Sequence, residues 1–289
     1  MSAALTRAGL DPVGTERLIR DALAEDVGAG DVTSRSTIPA DTRMECAYVS
    51  RAEGVAAGMP VLEAIADIAL TDGKLTTLVG DGDALKPGTV LARLEGSARE
   101  ILAMERTSLN LLGHLCGIAT ETRRWVDALA GTGARVRDTR KTLPLLRDLE
   151  KYAVRCGGGV NHRRGLDDAV LIKDNHVAAA GGVGAALEAV RAAGLPDGVV
   201  VQVEVDSLAQ LDEALAHGAT QVLLDNFSLD DSAEAVRRVR ATAPQVLLEA
   251  SGGLTLDRAR AVAETGVDFL AVGALTHSVT QLDIGLDAT

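Results

Sequence analysis

The stretch 199-VVVQVEVDSLAQLDEALAHGATQVLLDNF-227 holds two strand-like runs joined by an Ala- and Leu-rich segment. Side chains alternate along a strand, so Val201, Val203 and Val205 share one face and Gln202, Glu204 and Asp206 the other. If the valines pack outward on helices, Glu204 points inward near the top of its strand. Four more β-rich runs lie on either side: RVRDTRKT (135–142), VLIKDNHV (170–177), QVLLEASGG (245–253) and DFLAVGALTHS (268–278). Amphipathic helical segments such as DSAEAVRRVRATA (231–243) and LDRARAVAETG (256–266) separate most of them. Strand, helix and strand in repetition predict parallel βα units. Right-handed crossovers then leave an open doubly wound sheet or a barrel. No GxGxxG follows the first strand, which disfavours the dinucleotide-binding sheet. The expectation is an α/β barrel of six or seven parallel strands, related to the TIM architecture.

Only 2% of the 289 residues are aromatic although 47% are apolar, so the core is expected to consist mainly of Ala, Val and Leu. The formal net charge of -12 and a sequence pI near 4.9 give neither a basic field nor stacking platforms. Nucleic-acid binding and docking on anionic lipid are thereby excluded as expectations. Cys46, Cys116 and Cys156 are odd in number and contain no CxxC pair. They read as reduced thiols, with no structural metal. No signal peptide and no run of about 18 apolar residues is visible, so a cytoplasmic protein without a membrane span is expected.

The N-terminal part has a different texture. Apolar residues recur at helical spacing from Asp11 to Ala24. Between about Thr42 and Glu95 short strand-like runs alternate with turns, and Lys86-Pro87-Gly88 reads as the turn of a hairpin. This segment is faintly similar to the half-barrel of biotinyl and lipoyl carriers, but no lysine is placed for modification. Ser97-x-x-Glu100 fits a capping box opening a helix toward Gly113, and a further helical stretch continues to about Ala130.

Glu204, Lys173 and Asp225 all fall at carboxyl ends of strands, where α/β barrels build their active sites. Arg140-Lys141, His162-Arg163 and Lys173 bring cations to one mouth of an otherwise acidic chain, which suggests a small polyanionic substrate. Arg164 reads as solvated surface. Ser251-Gly252-Gly253 and Val272-Gly273-Ala274 end the last two strands, where barrels frequently bind phosphate through backbone N–H groups. His114 reads as a packed histidine and His217 as a capping or surface one. No histidine pair has zinc-ligand spacing.

At DTRKTLPLLR (138–147), KYAVRCGGGVNHRRGLDDAVLIKDNHV (151–177), VEVDS (203–207), LLDNF (223–227), ASGG (250–253) and DFLAVGALTHS (268–278), the chain resembles the quinolinate phosphoribosyltransferase family. EDVGAGDVTS (25–34) and AMERTSLNLLGHLCGIAT (103–120) are similar to the same family, so the resemblance covers nearly the whole chain. It implies transfer of phosphoribose from phosphoribosyl diphosphate to quinolinate, giving nicotinate mononucleotide, CO2 and diphosphate, with Mg2+. It also implies an N-terminal α/β sandwich over 1–114, joined by the tail 277–289, and an incomplete TIM-like barrel over 115–276. Members form at least homodimers whose sites are completed by the neighbour.

By the same resemblance Arg140, His162, Arg163 and Lys173 would hold the quinolinate carboxylates, with Arg106 reaching in from the partner. Thr139 would join the substrate-binding set. Lys141, Glu204 and Asp225 would be catalytic and face the ribose and diphosphate. Glu204 and Asp225 would take Mg2+ directly, or through water or diphosphate. Ser251, Gly252, Gly253, Val272, Gly273 and Ala274 would hold the 5′-phosphate, with His277 close by. Rival readings are a paralogue associated with molybdenum-transport operons, a Schiff-base aldolase using Lys173, and a non-catalytic phosphometabolite-binding protein.

Overall fold

Short apolar strands broken by Gly and Asp turns fold the first part of the chain into antiparallel pairs, and longer βα repeats fold the rest. The structure, a computed structural model, describes residues 2–289. It divides into two compact units. One comprises the chain up to Arg123 with Thr142–Gly158 and Ala274–Thr289; the other comprises Arg124–Lys141 and Gly159–Gly273.

The chain begins with α1 (Ser2–Arg7), α2 (Pro12–Val27), α3 (Val32–Thr37), β1 (Arg43–Ser50), β2 (Gly54–Val55) and α4 (Met59–Ala69). It continues through β3 (Lys74–Thr77), β4 (Ala84–Leu85), β5 (Val90–Ser97) and α5 (Ala98–Ala128). Next come β6 (Arg135–Arg137), α6 (Arg147–Cys156), β7 (Ala169–Ile172), α7 (Asp174–Ala180) and α8 (Val183–Ala192). Then follow β8 (Val200–Val205), α9 (Leu208–Ala216), β9 (Gln221–Asp225) and α10 (Leu229–Thr242). The last elements are β10 (Leu247–Ser251), α11 (Leu256–Glu264), β11 (Phe269–Ala271), α12 (Ala274–His277) and β12 (Ile284–Ala288).

In the first unit the antiparallel sheet runs β12-β1-β5-β3, so the C-terminal strand closes onto β1. Helix α2 starts where the helical spacing starts, with Asp11 accepting from the N–H groups of Val13 and Gly14. Tyr48 on β1 is fully buried, and its hydroxyl lies 2.8 Å from that of Ser108 on α5, joining sheet and helix. Three details differ from the sequence reading. The turn at Lys86–Gly88 exists, with Thr89 N–H donating to Lys86 O and Gly88 at φ +87°. It joins two sheets, however, because β4 pairs with β2 while β5 pairs with β1 and β3. Leu91, Ala92 and Leu94 are fully buried, and that burial is available only at the centre of the larger sheet. Glu100 does not turn back to Ser97; it accepts from the Thr71 N–H at 3.0 Å and the Thr71 hydroxyl at 2.7 Å.

The third difference is α5, a single helix of 31 residues that runs through Gly113 and Gly117. A glycine costs a helix about 1 kcal/mol relative to alanine. Here both give the C-terminal tail room to cross. A Cβ at Gly117 would lie 2.3 Å from Thr280 O, and one at Gly113 would lie 3.0 Å from Leu282 O. The Leu282 N–H donates to Gly113 O at 2.9 Å, so the contact is also a hydrogen bond.

All six β-rich runs of the second unit join one parallel sheet in the order β6-β11-β10-β9-β8-β7. In register, Val203, Val222 and Leu248 are neighbours on one face, and Glu204, Leu223 and Glu249 on the other. The first three are fully buried, as expected for the face under the helices. The other face curls inward. Arg137 of β6 and Gln202 of β8 both reach Glu249 of β10, at 2.9 and 2.7 Å, each across an intervening strand. Alternate strands supplying one interior layer is the packing of an α/β barrel. The barrel is incomplete: β6 and β7 are its two edges, and Val160 forms only an isolated parallel bridge to Arg137. Six strands are present. Ser207 and Ser228 cap α9 and α10 by accepting from Gln210 and Asp231 N–H. His217 ends α9 and sits 3.1 Å from Glu188, a surface role as expected.

Candidate active site

Parallel strands place their carboxyl ends on one rim. Thr139, Arg140 and Lys141 follow β6, Lys173 follows β7, Glu204 is next to last in β8, Asp225 and Ser251 end β9 and β10, and Val272 and Gly273 follow β11. The rim therefore gathers most of the residues singled out in the sequence. Its acidic side is coupled. Lys173 Nζ lies 4.0 Å from Glu204 Oε2, with the lysine half exposed and the glutamate mostly buried. Burial pushes the Glu204 carboxyl above its ordinary value, Lys173 opposes the shift, and Asp225 and Asp174 add to it by like charge. Asp225 is itself steadied by Asn226, whose side-chain N–H donates to Asp225 Oδ2 at 2.8 Å.

The basic side holds like charges together. The charged form of Arg163 is disfavoured first by burial and then by the neighbouring guanidinium of Arg140, with Asp168 partly compensating. Arg163 donates from a terminal nitrogen to Ala169 O at 3.0 Å, while its Nε is buried without a hydrogen-bond partner. Two guanidiniums in mutual repulsion form a site for an anion, because a bound carboxylate relieves that repulsion. Thr139 fixes the chain beside them by accepting from the Lys141 N–H at 3.0 Å.

The glycine turn after β10 has a steric reason. Gly252 adopts φ +94°, and a Cβ there would lie 2.1 Å from Asn226 Oδ1. Asn226, itself at φ +56°, donates its N–H to Ser251 O at 2.9 Å, so the turns after β9 and β10 lock together. Gly253 is exposed and at φ +55°, with open space around it. Val272 is different: it is buried, and its N–H is already used by Arg137 O at 2.9 Å. Gly273 beside it is half-buried.

Three expected residues lie in the other unit. Arg106 is exposed on α5, and Ala274 and His277 are exposed on α12, with His277 Nδ1 2.6 Å from the Ser278 hydroxyl. His114 is a packed histidine as expected, 2.8 Å from the fully buried Glu150, whose other oxygen accepts from the Leu143 N–H. Cys46, Cys116 and Cys156 are free thiols. Burial pushes Cys116 and Cys156 up to about 12, which keeps both unreactive at neutral pH.

Among the described residues no group of three or more His, Cys, Asp or Glu side chains is arranged to hold a metal ion. The pair Glu204 and Asp225 nonetheless fits Mg2+, which protein sites commonly hold through one or two carboxylates while water and phosphate oxygens complete the shell. The mutual electrostatic penalty between these two carboxylates is what a dication would remove.

Sequence reasoning missed a buried layer beneath the rim. Arg137, Gln202 and Glu249 form a chain of hydrogen bonds, and Arg137 also lies 3.8 Å over the Phe269 ring. Asp138 is fully buried and accepts from the His162 N–H at 2.7 Å and the Asn161 side chain at 2.6 Å. The alternation of Gln202 with valines was the available signal for that residue. Nothing local distinguished Glu249 within QVLLEASGG.

Comparison with known proteins accords with this geometry. Residues 31–116 match the model of the quinolinate phosphoribosyl transferase N-terminal domain, and residues 118–287 that of its C-terminal domain. The chain is 54% identical over 272 residues to a carboxylating nicotinate-nucleotide pyrophosphorylase of Mycobacterium leprae, covering 93% of this chain and 95% of that one. It is 42% identical over 279 residues to a probable enzyme of the same description from Bacillus subtilis, covering 95% and 93%. The solved nicotinate-nucleotide pyrophosphorylase of Francisella tularensis superposes with a TM-score of 0.90 at 36% identity, over 97% of this chain and 98% of that one. With both domain models matched in order and such relatives aligned nearly end to end, the chain belongs to the quinolinate phosphoribosyltransferase family.

Proposed function

We propose that this chain transfers phosphoribose from phosphoribosyl diphosphate to quinolinate with decarboxylation, giving nicotinate mononucleotide, CO2 and diphosphate in NAD biosynthesis. The observation that carries the reading is the rim itself, where Arg140, Lys141 and Lys173 follow their strands at the same end as the carboxylates Glu204 and Asp225, with Arg163 beside Arg140. The two substrates bring two carboxylates, a phosphate and a diphosphate, roughly six to seven negative charges at neutral pH. Arg140, His162, Arg163 and Lys173 hold the quinolinate carboxylates. Lys141 faces the diphosphate, and the turn at Ser251–Gly253, with Gly273, receives the 5′-phosphate.

The C1–O bond of the ribose breaks as diphosphate leaves, and positive charge grows on C1 and the ring oxygen. Glu204 and Asp225 stabilise that charge directly or through the ribose hydroxyls. They would also hold Mg2+, which when bound supplies positive charge to the diphosphate oxygens. The pyridine nitrogen of quinolinate then bonds to C1 and becomes cationic. The adjacent carboxylate leaves as CO2, its electron pair stays on the ring carbon beside the cationic nitrogen, and a solvent proton replaces it.

Incubation with quinolinate, phosphoribosyl diphosphate and Mg2+ is expected to release CO2 and diphosphate in equal amounts, with none when either substrate is omitted. Binding of phosphoribosyl diphosphate without turnover would instead identify a phosphometabolite-binding protein. We place the protein in the cytoplasm on the chemistry of its three free thiols. No helix among the described residues is long and apolar enough to cross a membrane.

The homodimer belongs to the same proposal. Arg106 is exposed on α5, and in a shared site it reaches the quinolinate bound by the neighbour. Arg106→Ala and Lys141→Ala proteins, each inactive alone, are expected to recover activity when mixed under conditions of subunit exchange. Hybrid dimers then contain one intact site out of two. No recovery after exchange is verified would mean that Arg106 serves its own chain or none.

A further inference from the structure

Asn226 is the first residue after β9, and its backbone decides where its side chain goes. On β9 Val222 and Leu224 are fully buried on the face under the helices, so Leu223 and Asp225 belong to the interior face. An extended Asn226 would continue the alternation and point outward with Val222 and Leu224. At φ +56° the strand ends instead, and the side chain turns back onto the rim. Few residues with a side chain adopt this left-handed conformation, and Asn tolerates it better than most. The connection is also short, because Ser228 already caps α10 by accepting from the Asp231 N–H.

This one conformation brings Asn226 against both neighbouring strand ends. Its side-chain amide donates to Asp225 Oδ2 at 2.8 Å, a bond to a carboxylate that only the amide nitrogen can make. Its backbone N–H donates to Ser251 O at 2.9 Å, continuing the parallel ladder in which Asp225 and Ser251 are in register. The amide oxygen lies against Gly252, where any Cβ would collide with it. A single side chain therefore stands between the carboxylate that ends β9 and the turn that ends β10. In the phosphoribosyl-transfer reading those two features hold opposite ends of one ribose 5-phosphate. Asp225 faces C1 and the hydroxyls, and the turn at Ser251–Gly253 receives the 5′-phosphate.

We infer that Asn226 is a positioning residue that sets the span between the Asp225 carboxylate and the phosphate turn, so that the ribose and its 5′-phosphate are recognised as one unit. This deepens the phosphoribosyl-transfer reading and rests on it for the identity of the ligand. The 5′-phosphate is the fixed point of that reaction, since no bond to it changes while C1 passes from diphosphate to the pyridine nitrogen. A shift of Asp225 relative to the turn is therefore felt at the reacting carbon, where small misplacements are costly. Quinolinate is held elsewhere. Arg140 and Lys173 follow β6 and β7, whereas the contacts of Asn226 lie on the ends of β9 and β10.

The test titrates ribose 5-phosphate and inorganic phosphate calorimetrically into the wild-type protein and two variants. Asn226→Gly keeps the left-handed backbone and the N–H that bonds Ser251, and removes only the amide. Asn226→Asp keeps the size and tolerates the same backbone, but it cannot donate to Asp225 while ionised and sets a second carboxylate beside it. Both should weaken ribose 5-phosphate binding about tenfold or more, the loss of one hydrogen bond to a charged group. Inorganic phosphate needs the turn alone and should bind within about threefold of wild type. In turnover, kcat/KM for phosphoribosyl diphosphate should fall about tenfold or more while the quinolinate KM stays within about threefold. In an Asp225→Ala background the partner is gone, so adding Asn226→Gly should weaken ribose 5-phosphate by less than about threefold. Unchanged ribose 5-phosphate affinity in either variant overturns the inference. An equal loss for inorganic phosphate, or the full loss again in the double variant, overturns it too and reduces Asn226 to a support of the turn. Wild-type protein that does not bind ribose 5-phosphate would overturn the phosphoribosyl reading itself. The expected binding pattern without turnover of quinolinate would leave the span established and the acceptor misassigned.

Discussion

Nicotinate in place of quinolinate is expected to lower kcat/KM by about 10⁴. Nicotinate lacks the carboxylate beside the ring nitrogen, so part of the cluster formed by Arg140, Arg163 and Lys173 loses its partner. That cluster is costly to leave empty. Arg163 is partly buried, and the charge of Arg140 already disfavours its own. Sites built to pair a polar group reject an analogue lacking that group by about 10⁴ to 10⁵, because their own groups remain unpaired. Lys173 is half exposed and water can reach it, which moves the expectation to the lower end. The missing carboxylate is also the one released as CO2, so nicotinate cannot undergo the decarboxylating half of the reaction. The measurement is kcat/KM for both acids at saturating phosphoribosyl diphosphate and Mg2+. Comparable values would show that the guanidinium pair is not a dicarboxylate clamp, and would assign the chain to a different phosphoribosyl acceptor.

Replacing Glu204 by Gln, or Asp225 by Asn, is expected to lower kcat by about 10² to 10³, the usual loss when one preorganised group at a developing charge is removed. The quinolinate dissociation constant should stay within about an order of magnitude, since neither carboxylate faces its acid groups. A large loss of quinolinate affinity at normal kcat would mean that the two halves of the rim are exchanged. The pH profile offers a signed check. Burial raises the Glu204 carboxyl, so activity that needs it ionised falls away at a higher pH than for an ordinary glutamate. Asp225 raises it further by like charge. In Asp225→Asn the residual activity should therefore extend to lower pH. Lys173 opposes the shift, so Lys173→Ala should move the acidic limb to higher pH.

How much of this was legible beforehand depended on whether a feature is periodic or local. Strand alternation in Val201–Val205 was enough to turn Glu204 inward, and the strand ends were enough to collect Lys173, Asp225 and the Ser251 turn on one rim. The single helix α5 was not legible. Gly113 reads locally as the end of one helix before another begins, and only the passage of Thr280–Leu282 across Gly113 and Gly117 shows why glycine stands at both. The Lys86–Gly88 turn was legible as a turn but not as a change of sheet, because strand partners are chosen by burial far along the chain.

By itself the sequence determined the parallel βα repeat, the acidic surface with a basic mouth, the family and the chemical class of every rim residue. These follow from composition, from a period of two and from motifs in fixed order, all of which survive without coordinates. Tertiary structure alone decided that β6 and β7 stay apart as the two edges of the sheet, that Asn226 occupies the space which Gly252 leaves open, and that Val272 spends its N–H on Arg137. It also assembled the interior layer: Arg137, Gln202 and Glu249 lie far apart in sequence and meet only when strands β6, β8 and β10 close around one another.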